Sequence, residues 1–287
     1  MANATIRLRI EVIFYGTVLL ELLTGQDASV TLDRAALELA AIEFPGLDSG
    51  AFLAMLDSYA LELGSRLRGA HDGAAYVREA NRYLFEELKF TGNSQDYYNP
   101  RNSCLNEVLT ARTGIPITLS LVYMEIGRRL KRPIYGIGLP GHFIVRYDDG
   151  FHCAYIDPFN GGNLLGPGQC IALAREASGL DLKPDPRLLD PVTKPEILVR
   201  MIHNLRRAYL ERGLTTKAIE VADLLIRVNP ASAEEYRQRA VLHLQSQNMT
   251  AAKHDLTRYL ELAPGAKDRV EVREQLRTIQ HWLASLN

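Results

Sequence analysis

The chain has 287 residues and a formal net charge of −1, with 47% hydrophobic and 23% charged residues. This composition is typical of a folded globular protein with one large domain or two ordinary ones. The near-neutral charge excludes a global electrostatic attraction to nucleic acid or to an anionic membrane surface. We therefore expect neither a nucleic-acid partner nor a membrane partner.

Three cysteines, Cys104, Cys153 and Cys170, are too few for a disulfide framework, and their odd number indicates a reducing compartment. The apolar stretch from Ile10 to Leu23 follows two arginines, but acidic residues interrupt it and no signal-peptide cleavage site follows. It is also too short to cross a bilayer. The sequence therefore predicts a cytoplasmic protein with a packed N-terminal element.

The pattern up to about residue 130 is helical, with apolar residues spaced by three and four. Thr31 is a candidate cap for the first helix, which Pro45 ends, and Pro116 suits the first position of the last helix. The polar segment 92–103 is predicted as a loop. The predicted helices cover 32–44, 52–67, 74–90, 104–112 and 116–130.

The next segment has the pattern of strands, with turn residues between them. Asp148-Asp149-Gly150 is a hairpin signal between the second and third strands. A glycine-rich loop over 160–168 and a proline-rich linker over 181–195 follow. The predicted strands cover 133–139, 142–147 and 152–157.

His142 and Asp157 are the two polar residues of interest on these strands. Because the hairpin makes the strands antiparallel, the two side chains are predicted to lie within hydrogen-bond reach. An aspartate that accepts from one imidazole nitrogen fixes the tautomer and leaves the other nitrogen free as a base. The pair is therefore a candidate for the rear half of a Cys-His-Asp triad. The alternative is that both residues only cap turns.

Cys104 is the candidate nucleophile, because a helix start lowers the pKa of a thiol. The alternative is that Cys104 is a small buried apolar residue. Cys153 and Cys170 are predicted to be packing residues. A zinc site formed by His152, Cys153 and Cys170 has no recognised ligand spacing, so we expect neither a metal nor a cofactor.

From about residue 196 the chain is helical again and repeats itself at an offset of 34 residues. Thirty-four residues is the period of the tetratricopeptide helix–turn–helix. Two repeats fit, and because each unit buries its apolar face on a neighbour, we expect this tail to pack on the N-terminal part. The recurring pairs are Leu210 and Leu244, Ala218 and Ala252, Val228 and Leu262, and Pro230 and Pro264.

Four ordered motifs resemble the SirB-type branch of the transglutaminase-like superfamily. They are YYNPRNSCLNEVL (97–109), TGIPITLSLVY (113–123), PGHFIVR (140–146) and IDPFNGG (156–162). The likeness extends upstream to YLFEELKFTGN and includes the C-terminal repeats, so that it covers roughly residues 30–265. It is specific for the family, but this branch has no defined activity to carry over.

The resemblance implies a papain-like α+β core, in which a helix bearing a nucleophile packs on an antiparallel sheet bearing His and Asp. His142 and Asp157 match the His and Asp motifs of the family. The nucleophile does not match, because its expected position falls near Pro116 and Cys104 lies one helix earlier. Cys104 could serve only if the chain has rearranged.

Two main functions are compatible with the sequence. In the first, a transglutaminase-like domain over 1–190 is catalytically degenerate and, with an all-α tail over 191–287, acts as a protein-binding or regulatory module. In the second, the protein is a cysteine-dependent amidase, peptidase or acyltransferase that uses Cys104, His142 and Asp157. A plain tetratricopeptide adaptor overlaps the first. The missing nucleophile leads us to prefer the first.

The first helix of each tetratricopeptide repeat lines a concave groove, which here assigns the lining to 199–212 and 233–246. An arginine fork binds carboxylates with two hydrogen bonds, so an acidic peptide or a C-terminal carboxylate is the predicted ligand. The alternative is that the arginines pair with acidic residues of the first domain and dock the tail. The predicted groove residues are Arg200, His203, Arg207, Glu234 and Arg237.

Overall fold

The structure is a computed structural model that describes residues 17–25, 29–67 and 72–285. It divides into two compact units, 1–201 and 202–287. The predicted domain boundary at residue 190 stays a prediction. Part of the N-terminal stretch that was predicted to be packed lies outside the described residues, and Leu19 and Leu22 within it are buried. In the described part of the chain, no helix is both long and apolar enough to cross a membrane.

The first unit is mainly helical, and the five helices predicted between residues 32 and 130 are present at approximately the predicted positions. Its last helix, α8, contains the boundary between the units. A π-helical turn over Arg82–Glu87 follows α4, and a 3-10 turn over Pro100–Ser103 precedes α5. The helices are α1 (Thr17–Thr24), α2 (Leu32–Ala40), α3 (Ser49–Arg66), α4 (Gly73–Asn81), α5 (Leu105–Ala111), α6 (Pro116–Arg129), α7 (Pro167–Ser178) and α8 (Lys194–Glu211).

A four-stranded antiparallel sheet follows the helices, in the order β3-β4-β5-β6, and confirms the α+β class. The three predicted strands are present as β3, β4 and β5. The fourth strand, β6, lies in the segment that was predicted as a glycine-rich loop. A separate parallel pair, β1 and β2, has two residues in each strand. The strands are β1 (Thr91–Gly92), β2 (Thr113–Gly114), β3 (Ile134–Ile137), β4 (Ile144–Asp148), β5 (Cys153–Asp157) and β6 (Asn163–Leu165).

Helix α6 is the central helix of the first unit and packs against β3 and β4. Proline begins it at Pro116, as predicted, because the first helical N–H has no partner within the helix. Two buried hydroxyls of its first turns donate to backbone carbonyls: Thr118 to that of Asn102 at 2.8 Å and Ser120 to that of Phe143 at 3.5 Å. These bonds hold the first turns of α6 beside the segment that enters β4.

A buried ionic cluster joins α2 to the C-terminal turns of α6. Asp33 and Glu125 are 1% and 3% exposed, and both accept hydrogen bonds from Arg128 and Arg129. Burial, together with the negative charge of Asp33, raises the pKa of Glu125 to about 7. Burial opposes ionisation of Asp33, but hydrogen bonds from Thr31 and Arg129 hold its pKa below the usual range. As the pH falls, the cluster therefore takes up its proton on Glu125.

The second unit consists of helices whose spacing follows the predicted repeat. Helices α9 and α11 begin 34 residues apart and also end 34 residues apart, and the ends of α8 and α10 keep the same offset. Trp282, the only tryptophan of the chain, lies on the last helix and is 46% exposed. The helices that follow α8 are α9 (Thr215–Val228), α10 (Ala233–Gln245), α11 (Met249–Leu262) and α12 (Arg269–Ala284).

A buried ion pair links these repeat helices. The Arg239 guanidinium on α10 binds both carboxylate oxygens of Asp255 on α11, at 2.6 and 2.7 Å, and donates to Asp223 on α9 at 2.6 Å. Asp255 is 1% exposed, and His254 contacts its carboxylate at 3.1 Å. A buried carboxylate costs several kcal/mol unless it is paired, so Arg239 is required for this arrangement.

We expect Glu125→Gln to flatten the pH dependence of stability between about pH 4.5 and about pH 7. The folded protein keeps a proton on Glu125 up to about pH 7, whereas the unfolded chain releases it near the usual value of 4.5. The stabilisation is complete below the unfolded pKa and is lost as the pH rises through the folded one. Urea unfolding across this range measures the effect. Glu62→Gln, at an exposed glutamate, should keep the wild-type slope, and an unchanged slope in Glu125→Gln would contradict the assignment.

Arg239→Met should destabilise the second unit by roughly 3 kcal/mol, the lower end of the range for removing one partner of a buried ion pair, because His254 still contacts Asp255. Thermal unfolding followed by circular dichroism measures the loss. Arg227→Met, at an exposed arginine of α9, is the control and should leave the melting temperature unchanged. Equal melting temperatures for the two variants would mean that the buried pair contributes nothing.

Candidate functional site

The predicted contact between His142 and Asp157 is confirmed. The imidazole Nε2 lies 3.0 Å from the Asp157 Oδ1, and the two residues are 6% and 2% exposed. The sequence predicted that His142 starts strand β4. It lies instead in the loop after β3, two residues before β4 begins at Ile144, and its backbone N–H donates to the Leu139 carbonyl. The catalytic role of the pair stays a prediction.

Asp157 also closes the turn that leads from β5 to β6. Its carboxylate accepts from the backbone N–H groups of Phe159 and Asn160, at 3.1 and 3.4 Å, and from the Asn160 side chain at 2.7 Å. Burial opposes its ionisation, but the hydrogen bond from His142 lowers its pKa below the usual range. An ionised Asp157 accepts a hydrogen bond from His142 Nε2–H, so the ring proton of a neutral imidazole lies on Nε2 and Nδ1 carries none. The turn-capping role that was the alternative for Asp157 is therefore also present.

Aromatic rings cover the imidazole. The Phe159 ring packs edge-on against His142, with 5.9 Å between ring centroids, and Tyr97 packs on Phe159 at 6.1 Å. Gly92 leaves room for this packing, because a Cβ atom there would lie 2.6 Å from the Phe159 ring. The structure thus packs Phe159 against the His142 imidazole and Tyr97 against the Phe159 ring.

Cys104 lies in a buried turn before the short helix α5. It is 0% exposed, and its thiol donates to the Pro100 carbonyl at 3.5 Å. Pro116, near which the family resemblance expects a nucleophile, is the first residue of α6, and this helix contains no cysteine. The structure therefore joins His142 and Asp157, two of the three proposed triad residues, by a hydrogen bond.

The other two cysteines differ in environment. Cys170 on α7 is buried in a cluster with Ile137, Leu139 and Ile144, and burial raises the pKa of its thiol to about 11. Cys153 on β5 is exposed. Among the described residues, no group of three or more His, Cys, Asp and Glu side chains is arranged to hold a metal ion.

Arg200, predicted to line the groove of the tail, has its contacts inside the first unit. Its guanidinium donates to the carbonyls of Leu139 and His142, at 2.7 and 2.6 Å, and lies over the Phe143 ring. The sequence pattern placed it on a lining helix but could not show which carbonyls it would meet. The Arg200 guanidinium is therefore engaged by carbonyls of the first unit.

The remaining groove residues differ in how far their charges are satisfied. His203 contacts Arg206 at 3.1 Å, and burial lowers the pKa of its imidazole. Arg237 forms an ion pair with Asp268 at 2.7 Å and is 43% exposed. Arg207 is 65% exposed, and Glu211 lies 3.9 Å from it. Whether these residues bind a ligand stays a prediction.

Arg206 is a residue that sequence reasoning missed. It is buried and forms an ion pair with Glu235, which is also buried, on α10. The signal was available, because Arg206 occupies an apolar position in the spacing of Ile202, Leu205 and Tyr209. A charged residue at such a position requires a buried partner.

Comparison with known proteins places the chain in a family. The family model of the transglutaminase-like superfamily matches residues 50–203, and that of the tetratricopeptide repeat matches residues 205–277. A UPF0162 protein of Xylella fastidiosa strain 9a5c is 36% identical over 261 residues, which cover 89% of this chain and 92% of that protein. A UPF0162 protein of Pseudomonas aeruginosa is 30% identical over 248 residues, which cover 85% and 89%.

A shorter likeness extends to F-box only protein 21 of Mus musculus, which is 36% identical over 133 residues, or 44% of this chain and 20% of that protein. Tetratricopeptide repeats in general present concave surfaces that mediate protein–protein interaction. The resemblance drawn from the four sequence motifs is thus confirmed by matches that cover both units. The chain belongs to the transglutaminase-like superfamily, in its SirB-type UPF0162 branch, and carries C-terminal tetratricopeptide repeats.

Proposed function

We propose that this protein is a catalytically degenerate transglutaminase-like protein that binds a protein partner and acts as a regulatory module in the cytoplasm. The observation that carries the proposal is the start of α6. The family resemblance expects a nucleophilic cysteine near Pro116, and the helix PITLSLVYMEIGRR that begins there contains no cysteine. The location rests on three free cysteines, which suit a reducing compartment.

The His142–Asp157 pair supports the proposal, because its retention has a structural reason without catalysis. Asp157 holds the turn before β6 through Phe159 and Asn160, and His142 satisfies the same buried carboxylate. A base that acts on a substrate must reach it, whereas Phe159 packs against this imidazole. The pair therefore organises the first unit around a closed cleft.

The alternative is a cysteine-dependent amidase, peptidase or acyltransferase that uses Cys104, His142 and Asp157. One observation favours it, because Cys104 is the residue that caps the start of α5. The burial of its thiol and the bond to Pro100 argue against a reactive thiolate, since a catalytic thiolate is partly exposed.

The second unit supplies the surface for a partner. Arg207 and Arg237 are the more exposed arginines of the predicted groove, which supports an acidic peptide or a C-terminal carboxylate as the ligand. The ion pair of Arg237 with Asp268 supports the competing structural role, because a ligand carboxylate must share this guanidinium. The likeness of 133 residues to F-box only protein 21 supports a module that operates within different longer chains.

Iodoacetamide should label Cys153 in the folded protein and leave Cys104 unmodified until the protein unfolds. Cys153 is exposed and Cys104 is fully buried, so the two thiols of one chain provide the comparison. The measurement is mass spectrometry of tryptic peptides after timed labelling at neutral pH. Fast labelling of Cys104 that is lost in His142→Ala would establish the enzyme and overturn the proposal.

Removing the two groove charges should weaken binding of a fluorescent peptide with an acidic C-terminus by roughly a hundredfold, since each lost charge-assisted hydrogen bond contributes about 1.5 kcal/mol and the two together about 3 kcal/mol. The variant is Arg207→Gln/Arg237→Gln, and fluorescence anisotropy measures the affinity. Arg227→Gln, at an exposed arginine of α9, is the matched control and should bind like the wild type.

The melting temperature of the same double variant separates the two roles of the arginines. Weaker binding with an unchanged melting temperature supports the groove. A melting temperature lower by several degrees, with a tail that becomes sensitive to protease, assigns these arginines to structure alone and removes the acidic-ligand hypothesis.

A further inference from the structure

The loop between β3 and β4 carries His142 and is held in an unusual backbone conformation. Gly141, immediately before His142, has φ of +71°, which favours glycine. A Cβ atom at Gly141 would lie 2.5 Å from the backbone of Ala177, near the end of α7. The loop is therefore pressed against α7 on one side, and its shape depends on contacts with other elements.

Arg200 of α8 makes the other contact. Its Nη2 donates to the carbonyls of Leu139 and His142, at 2.7 and 2.6 Å, and so bridges the two ends of the turn. The Leu139 carbonyl also accepts the N–H of His142, at 3.2 Å. His142 therefore takes part in two hydrogen bonds of this turn, one through its backbone N–H and one through its carbonyl. Hydrogen bonds from a charged donor are about twice as strong as neutral ones, so the bonds from Arg200 are the strongest of those described for this loop.

The surroundings of Arg200 are shaped to admit it. The guanidinium lies over the Phe143 ring, with 5.5 Å to its centroid, and a Cβ atom at Gly138 would lie 3.3 Å from Nη1. Burial lowers the pKa of Arg200, against a raising effect of Tyr97. The two carbonyl dipoles and the aromatic face are therefore the groups that stabilise this cation.

We propose that Arg200 is a positioning residue for His142: by fixing the Leu139 and His142 carbonyls, it sets the direction in which the imidazole reaches Asp157. The bond between Nε2 and Oδ1 requires the His142 backbone to be fixed to within a few tenths of an ångström, since a hydrogen bond spans only about 2.7–3.2 Å. Arg200 provides that constraint from outside the hairpin.

In this proposal, helix α8 also gives the contact between Arg200 and the β3–β4 loop a regulatory role. Helix α8 extends from Lys194 to Glu211, so it carries Arg200 in the first unit and Arg206, which pairs with Glu235, in the second. A small shift of α8 along its axis would draw the guanidinium away from the loop and release His142. This step rests on the proposed function, because it requires a partner that binds the repeats and moves the helix.

The test measures the imidazole itself, in the full-length chain labelled with ¹⁵N. Long-range ¹H–¹⁵N correlation spectra report which ring nitrogen carries the proton, and His142→Gln assigns the signal among the seven histidines. The variants are Arg200→Met, which keeps the stem but has no donors, and Arg200→Lys, which keeps the charge. Arg227→Met, at an exposed arginine outside the predicted groove, is the control.

In the wild type and in Arg227→Met we expect one tautomer, with the proton on Nε2. Arg200→Met should show the mixture of tautomers of an unrestrained imidazole, and Arg200→Lys should restore the Nε2–H form in part. A His142 signal in Arg200→Met that matches the wild type overturns the proposal, as does an equal change in Arg227→Met. If Arg200→Met does not fold, the decision passes to Arg200→Lys, in which an unchanged signal again overturns it.

No partner is needed for this measurement, so its failure is distinct from a failure of the proposed function. Loss of peptide binding in the groove variant with an intact Nε2–H signal would remove the binding function and leave Arg200 as a positioning residue. An altered His142 signal with unchanged peptide affinity in Arg200→Met would confirm the positioning role and remove its link to the partner.

Discussion

The buried carboxylate of Asp157 is the group on which the arrangement of the first unit's sheet and loops depends. It lies at the end of β5, where it accepts one hydrogen bond from the loop after β3 and three from the turn before β6. An ionised group with 2% exposure is stable only while such donors surround it. The His142 imidazole and the Asn160 amide are therefore constrained together, and the position of one cannot change without a cost at the other.

Under the proposed function, this constraint gives the His142–Asp157 pair a structural role that needs no nucleophile. A structural carboxylate, like a catalytic one, requires several hydrogen-bond donors around it. Because Asp157 also closes a turn, its replacement is expected to destabilise the fold. Pro116 makes no hydrogen bond of this kind, because the first residue of a helix has no acceptor for its N–H within that helix.

The sequence predicted what depends on local pattern. The hairpin of β4 and β5, its two polar residues and the 34-residue offset of α9 and α11 all follow from spacing. Strand β6 was missed, because Asn163–Leu165 is three residues long and lies among glycines, where no alternation can be recognised. The partners of Arg200 were also missed, since they lie 58 and 61 residues earlier in the chain.

Helical periodicity likewise placed Arg237 on a lining helix. It did not reveal that Asp268, the residue before α12, forms an ion pair with it. A lone charge on a helix face has the same spacing whether a ligand or the chain's own carboxylate neutralises it. Buried ion pairs such as that of Arg239 with Asp255 are determined by tertiary packing. From the sequence, the only indication of such a pair is a charged residue at a position where the helical spacing expects an apolar one.

The position of Trp282 has a practical consequence for spectroscopy. Because α12 carries the only indole of the chain, tryptophan emission reports on the last helix alone, whereas the thirteen tyrosines report on both units. At 46% exposure the indole is half in contact with protein, so its emission maximum should move to longer wavelength when that helix detaches. Unfolding curves recorded by indole emission and by tyrosine absorbance would coincide for a single cooperative transition and separate when the repeats melt on their own.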